Sequence, residues 1–223
     1  MPAFSWSFVG PHVLLLRFTH SPHRPAQIQR LSDLIHKAPP PEVLDCIPGY
    51  DTLLVEFSPL PAAWINRIAE CWRTQLEAPA TEANTSPPGR LHQIPVRYDG
   101  PDLSRVADQA KLPVSEIIRL HQSQIYLVHM IGFCPGFPYL LGLPNSIHTP
   151  RLPSPRPSVP AGSVAIGGEF TGVYPIERPG GWNLIGSTST PLFTPEKALG
   201  SNPSQAILLH PGDRVQFIPH SCN

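Results

Sequence analysis

Proline occupies 31 of the 223 positions, and no other feature limits the fold so strongly. Each proline fixes φ and removes a backbone donor, so helix interiors and central strands must fall between prolines. Between residues 132 and 191 the prolines alternate with glycine and with Phe, Tyr, Val, Ile and Trp. A disordered proline-rich tail would lack those apolar residues. The mixture instead predicts short strands joined by rigid, shaped loops.

The first part of the chain carries longer periodic segments. Val13–Phe18 is an apolar run that reads as a strand, and Ile28, Leu31, Leu34 and Ile35 recur at helical spacing. Pro39-Pro40-Pro41 ends that helix. Val43–Ile47 and Thr52–Phe57 flank a Pro48-Gly49 turn, and Pro61 opens a second helix with Trp64, Ile68, Trp72 and Leu76 as its apolar stripe, Ile65 beside it. Ile94–Arg97 then supplies a strand, and the order strand–helix–strand–strand–helix–strand is that of a ferredoxin-like α/β sandwich. Residues 1–90 are therefore expected to form that domain, with an exposed loop or linker over 78–90 and a closing strand at 91–98.

Residues 99–223 read as a second domain. Asp102–Gln109 and Val114–Gln122 are two short helices broken at Leu112-Pro113. Strands are predicted at Ile125–Ile131, Gly162–Ile166, Gly172–Ile176, Asn183–Ser187, Ala206–Leu209 and Arg214–Ile218. Short strands punctuated by Gly and Pro suggest a closed or nearly closed β-barrel. The fold class is thus α+β with two domains.

Charge excludes several functions. Lys plus Arg and Asp plus Glu both number 16, and charged residues make up only 14%. Such a chain has no electrostatic footprint for nucleic acid or an anionic membrane, and the two-helix segment holds too few basic residues to grip phosphates. The four cysteines, Cys46, Cys71, Cys134 and Cys222, form no CxxC pair and fit reduced thiols in the cytoplasm. The longest apolar run near the start, Val13–Leu16, is too short for a signal segment or a span.

The familiar catalytic motifs are missing. There is no GxSxG elbow, no GxxxxGK[ST] loop and no HxH or HExxH pair. Gly180-Gly181 could cradle an anion in a backbone nest or simply turn a hairpin. One polar-aromatic constellation remains: Glu177, Arg178, Gly180, Gly181, Trp182 and Asn183, with Phe133, Pro135, Phe137 and Tyr139 as a rigid rim. Arginine can take a carboxylate bidentately, tryptophan can wall an apolar pocket, and asparagine offers donor and acceptor. A small amide–carboxylate ligand would suit that set. An ordinary Glu177–Arg178 ion pair beside core aromatics would use the same residues, and residue types leave both readings open.

Three stretches, GFCPGFPYLLGLP at 132–144, VPAGSVAIGG at 159–168 and TGVYPIERPGGWNLIGST at 171–188, closely resemble the KipI-type family. That family is also called allophanate hydrolase subunit 1-like and includes the B-type component of 5-oxoprolinase. Ile94-Pro95-Val96-Arg97-Tyr98, Pro101-Asp102-Leu103, Leu53–Phe57, Phe193-Thr194-Pro195 and Pro211–Val215 are similar to further markers. Asp99-Gly100-Pro101 is shorter than the family's glycine-rich insert, and Cys134 stands where an aliphatic residue is common. The resemblance implies a cyclophilin-like C-terminal barrel and a non-autonomous subunit. Its partners would be a C-type (allophanate hydrolase subunit 2-like) subunit and an A-type subunit. The activity implied is ATP-dependent opening of 5-oxo-L-proline to L-glutamate, with ATP and Mg handled by the complex and no metal expected in the isolated chain. Inhibition of a sensor histidine kinase, or a part in urea or allophanate processing, are the other roles found in the family.

Overall fold

The protein is described by a computed structural model covering residues 2–21, 23–77, 89–200 and 203–220. It divides into two compact units, Met1–Pro88 and Gly89–Asn223. Most of the linker expected over Ala78–Arg90 lies outside the described residues.

The first unit is a four-stranded antiparallel sheet in the order β1-β2-β4-β3 with two helices. Its strands are β1 (Phe4–Gly10), β2 (Val13–Phe18), β3 (Val43–Pro48) and β4 (Thr52–Phe57), and its helices are α1 (Arg24–Lys37) and α2 (Ala62–Glu77). Alternation along β2 and β4 sends Leu14, Leu16, Phe18, Leu53, Val55 and Phe57 into one core. Ile28, Leu31 and Ile35 of α1 enter it at three- and four-residue steps. The buried stripe of α2 is Ile65, Ala69, Trp72 and Leu76, while Trp64 faces outward under the Arg67 guanidinium.

The ferredoxin-like order is corrected by these elements. Phe4–Gly10 is a strand, paired through Trp6↔Leu16 and Ser7↔Leu15. The strand expected to close this sheet, β5 (Leu91–Val96), instead belongs to the second unit. There it runs parallel to β13 (Arg214–Pro219), from Arg214↔Leu91 to Pro219↔Val96. A parallel partner more than a hundred residues away leaves no local turn signal, which is why β5 resembles a free closing strand in the sequence.

The second unit is built on a seven-stranded sheet, β12-β9-β10-β7-β6-β13-β5. Its remaining strands are β6 (Tyr126–Ile131), β7 (Pro138–Leu141), β9 (Ser163–Gly167), β10 (Phe170–Val173) and β12 (Asn183–Ser187). Arg97, just past β5, and Ser187 exchange both backbone hydrogen bonds at 2.9 and 2.8 Å, so the two edge strands meet and the barrel closes at that corner. Helices α3 (Leu103–Ala110) and α4 (Val114–Gln122) bury Leu103, Val106, Ala107 and Ile117 in the barrel core with Val128, Val164 and Phe217. A separate two-stranded ribbon pairs β8 (Arg156–Val159) with β11 (Arg178–Gly180). A short helix, α5, spans Pro195–Ala198. Ala206–Leu209 is not a strand; a single bridge, Phe193↔Ile207, marks its place. The two-domain α+β class stands, with the second unit a nearly closed barrel.

Candidate ligand-binding face

Strand β9 is buried along its whole length. Val164 and Ile166 enter the barrel core, while Ala165 joins a second cluster with Phe137, Val159, Tyr174, Trp182 and Leu184. The alternation of a strand explains the split, and burial on both faces explains why the sequence here reads as a continuous apolar run.

The second cluster is a lattice of edge-on rings. Phe137 meets Tyr139, Tyr174 and Trp182 at centroid distances of 5.2, 5.1 and 5.3 Å, each closer to perpendicular than to stacked. Tyr139 also meets Phe170 and Trp182 at 5.6 Å. Two glycines make this packing possible. A Cβ on Gly167 would stand 2.5 Å from the Trp182 indole, and one on Gly180 would stand 2.3 Å from the Tyr174 hydroxyl. That hydroxyl accepts the Trp182 backbone N–H.

The sequence-predicted residues divide three ways. Phe137, Gly180 and Trp182 are buried in the lattice or against it, and Trp182 is only 4% exposed. Asn183 is buried as well, at 0% exposure, and its side chain is spent internally. Its amide nitrogen donates to the Pro150 and Ile166 carbonyls at 2.9 and 3.1 Å, and its oxygen accepts from Arg105 at 3.0 Å. It is a strut between loop, sheet and α3 rather than a ligand group. Phe133, Pro135, Glu177 and Arg178 reach the surface.

Glu177 and Arg178 do not pair with each other: Glu177 accepts the Ser158 hydroxyl at 2.6 Å, and the ion pairs among the described residues do not include Arg178. Neither Gly180 nor Gly181 has positive φ, which excludes both the nest and the tight hairpin turn. Gly181 serves through its carbonyl, which accepts Leu152 N–H at 2.7 Å.

Phe133 has a different character. Its φ is +69, and Cys134 N–H bonds back to the Gly132 carbonyl at 2.8 Å, closing a γ-turn of the rare positive-φ kind. The turn leaves the ring 58% exposed, edge-on to Phe137 and Tyr174 at 5.3 and 6.1 Å. Arg151, which no motif marks, places its guanidinium 5.8 Å over the Trp182 ring. Burial pushes the Tyr139 and Tyr174 hydroxyls and the Cys134 thiol up; the Arg151 charge partly offsets this at both tyrosines, and Arg178 does so at Cys134. Arg151 thus acts on the aromatic patch, and Arg178 on the Cys134 thiol packed beside it.

Behind the face the Asp102 carboxylate is fully engaged. Asp102 accepts Leu184 N–H and the Arg156 guanidinium, each at 2.7 Å, while its own N–H donates to the Leu184 carbonyl at 2.9 Å. This locks the start of α3 to β12 and accounts for the Pro101-Asp102-Leu103 motif.

The fold of the chain is shared with known proteins. The profile of the carboxyltransferase domain, subdomain C and D, matches residues 4–202, and the chain belongs to that family. It is 43% identical to the B-type subunit of 5-oxoprolinase from Escherichia coli over 194 residues, 86% of this chain and 82% of that protein. It is 37% identical to the B-type subunit of 5-oxoprolinase from Bacillus subtilis over 222 residues, 94% and 90% of the two. Among solved structures, TTHA0988 superposes with a TM-score of 0.77 at 35% identity, over 95% of this chain. The Kluyveromyces lactis urea carboxylase shares the fold, with a TM-score of 0.77 at 18% identity over 99% of this chain. The chain spans 40% of the former and 22% of the latter.

Proposed function

We propose that the chain is the B-type subunit of an ATP-dependent 5-oxoprolinase, acting with C-type and A-type subunits to open 5-oxo-L-proline to L-glutamate. The observation that carries this reading is the set of relatives that bear the name of that 5-oxoprolinase component. They are 37%, 43% and 44% identical to this chain, over 73% to 90% of their own lengths.

The chemistry explains why several subunits would share the work. A lactam is a resonance-stabilised amide, so water adds to its carbonyl only after activation. Phosphoryl transfer from ATP to the carbonyl oxygen supplies that activation. Water then adds at carbon, the C–N bond breaks to free the amine and leave an acyl phosphate, and a second water hydrolyses that acyl phosphate to carboxylate and phosphate. ATP and Mg belong to the complex in this reading. The part of this chain in this reading is binding and orientation.

The test is ATP-dependent release of glutamate from 5-oxoproline by this chain co-expressed with A- and C-type subunits of 5-oxoprolinase. Turnover is expected only when all three are present. Equal turnover by the A- and C-type subunits without this chain would overturn the proposal.

A further inference from the structure

We infer that Arg151 and Arg178 form a carboxylate clamp on the rim of the aromatic face, where a small, flat amide acid lies against Phe133 and Tyr139. The inference rests on the proposed function and assigns to this chain the recognition of the substrate's acid group.

Four other guanidiniums of the second unit are already used. Arg156 sits on Asp102 and Arg119 on Glu116, Arg97 is paired with Asp99, and Arg105 donates to Asn183. Arg151 and Arg178 are both exposed, and the hydrogen bonds and ion pairs of the described residues give neither a carboxylate. The acid beside Arg178 is held by the Ser158 hydroxyl, so it does not neutralise the rim. Arg151 lies over Trp182, which places its charge at an aromatic surface where a guanidinium is weakly hydrated.

The second line of support is Phe133. A bulky residue with positive φ costs of order 1–3 kcal/mol and persists where the surroundings hold it. Here Gly132 N–H bonds to the Phe137 carbonyl at 3.1 Å and Phe137 N–H to the Cys134 carbonyl at 3.1 Å, pinning the turn. The result is a large apolar ring held at the surface near two exposed cations. An apolar wall beside exposed fork-shaped donors suits a ligand that is flat at one end and a carboxylate at the other. A five-membered lactam acid has that shape.

The experiment uses the three-subunit complex with two substrates, 5-oxo-L-proline and its neutral carboxamide. Arg151→Gln and Arg178→Gln are each expected to raise KM for the acid about ten- to a hundredfold, the scale of one charge-assisted hydrogen bond, and to shift KM for the carboxamide far less. Arg151→Lys, which keeps the charge without the fork, recovers part of the loss. An unchanged KM for the acid would overturn the clamp, as would equal shifts for acid and carboxamide, which mark a structural role. The two proposals fail separately. No glutamate from the parent complex sinks the function, whereas an active parent whose variants keep the full preference for the acid sinks only the clamp.

Discussion

The barrel interior and its outer rim use similar residue types to opposite ends. Inside, His121 is fully buried and both of its ring nitrogens have partners. The Thr171 hydroxyl donates to the Ala165 carbonyl, so it must accept from His121 Nε2–H at 2.8 Å. The other ring nitrogen, Nδ1, then accepts the Tyr98 hydroxyl at 2.7 Å, which assigns the neutral Nε2–H tautomer. On the rim, Arg151 and Arg178 meet no acid among the described residues, and Phe133 holds a conformation that costs energy. Satisfied polarity in the interior specifies the fold; the unsatisfied polarity outside is what remains for a ligand.

The sharpest way to break this comparison is to remove one sealed group. Asp102→Ala orphans Leu184 N–H and strips Arg156 of its acid, when Arg156 Nη1 is already buried without a partner. The expected loss is about 3–5 kcal/mol, the usual cost of breaking a buried pair. For a chain of this size that lowers the melting temperature by roughly 6 °C or more. Arg151→Gln should melt with the parent. If both variants melt alike, sealed and open groups are not energetically distinct and the comparison fails.

A smaller effect follows from His121. Burial lowers its folded pKa to about 3, from an ordinary value of 6.5. Between these values the unfolded chain binds a proton that the folded chain does not. The stability from the neutral ring is complete above pH 6.5 and is lost as pH falls toward 3, at about 1.4 kcal/mol per pH unit. Denaturant titrations of the parent and of His121→Gln, run from about pH 7.5 to about 4.5 to span most of that window, should differ in slope. The variant is less stable at the upper end and less sensitive to acid. Parallel pH profiles would show that the ring is not held neutral.

Much of this was legible in the sequence, and the misses have physical causes. The bounds of β2 and β12 follow from apolar runs closed by turn residues, and α4 from its spacing after Pro113. Strand β1 escaped because Ser5 and Ser7 alternate with Phe4, Trp6 and Phe8, a period of two that looks merely polar without its partner. At the site, the clustered aromatics and Arg178 could be read from one continuous stretch. Asn183 could not be read correctly, since its partners Arg105, Pro150 and Ile166 are 78, 33 and 17 residues away. Arg151 lies in a proline-rich loop with no motif, and only folding carries it over Trp182.

The smallest effect separates strain from contact at Phe133. Glycine adopts positive φ without penalty, so Phe133→Gly relieves the γ-turn and removes the exposed ring in one step. If the ring mattered chiefly to packing, its loss from Phe137 and Tyr174 would lower stability. Because it is more than half exposed, we expect relief and loss to offset within about 1 kcal/mol, with an unchanged melting temperature. The cost should appear in the assembled complex as a higher KM for acid and carboxamide alike, since the ring contacts the flat part of the ligand and not its charge. That pattern differs from the acid-selective loss expected at Arg151. A clear fall in melting temperature with unchanged KM would reassign Phe133 from ligand wall to structural cover.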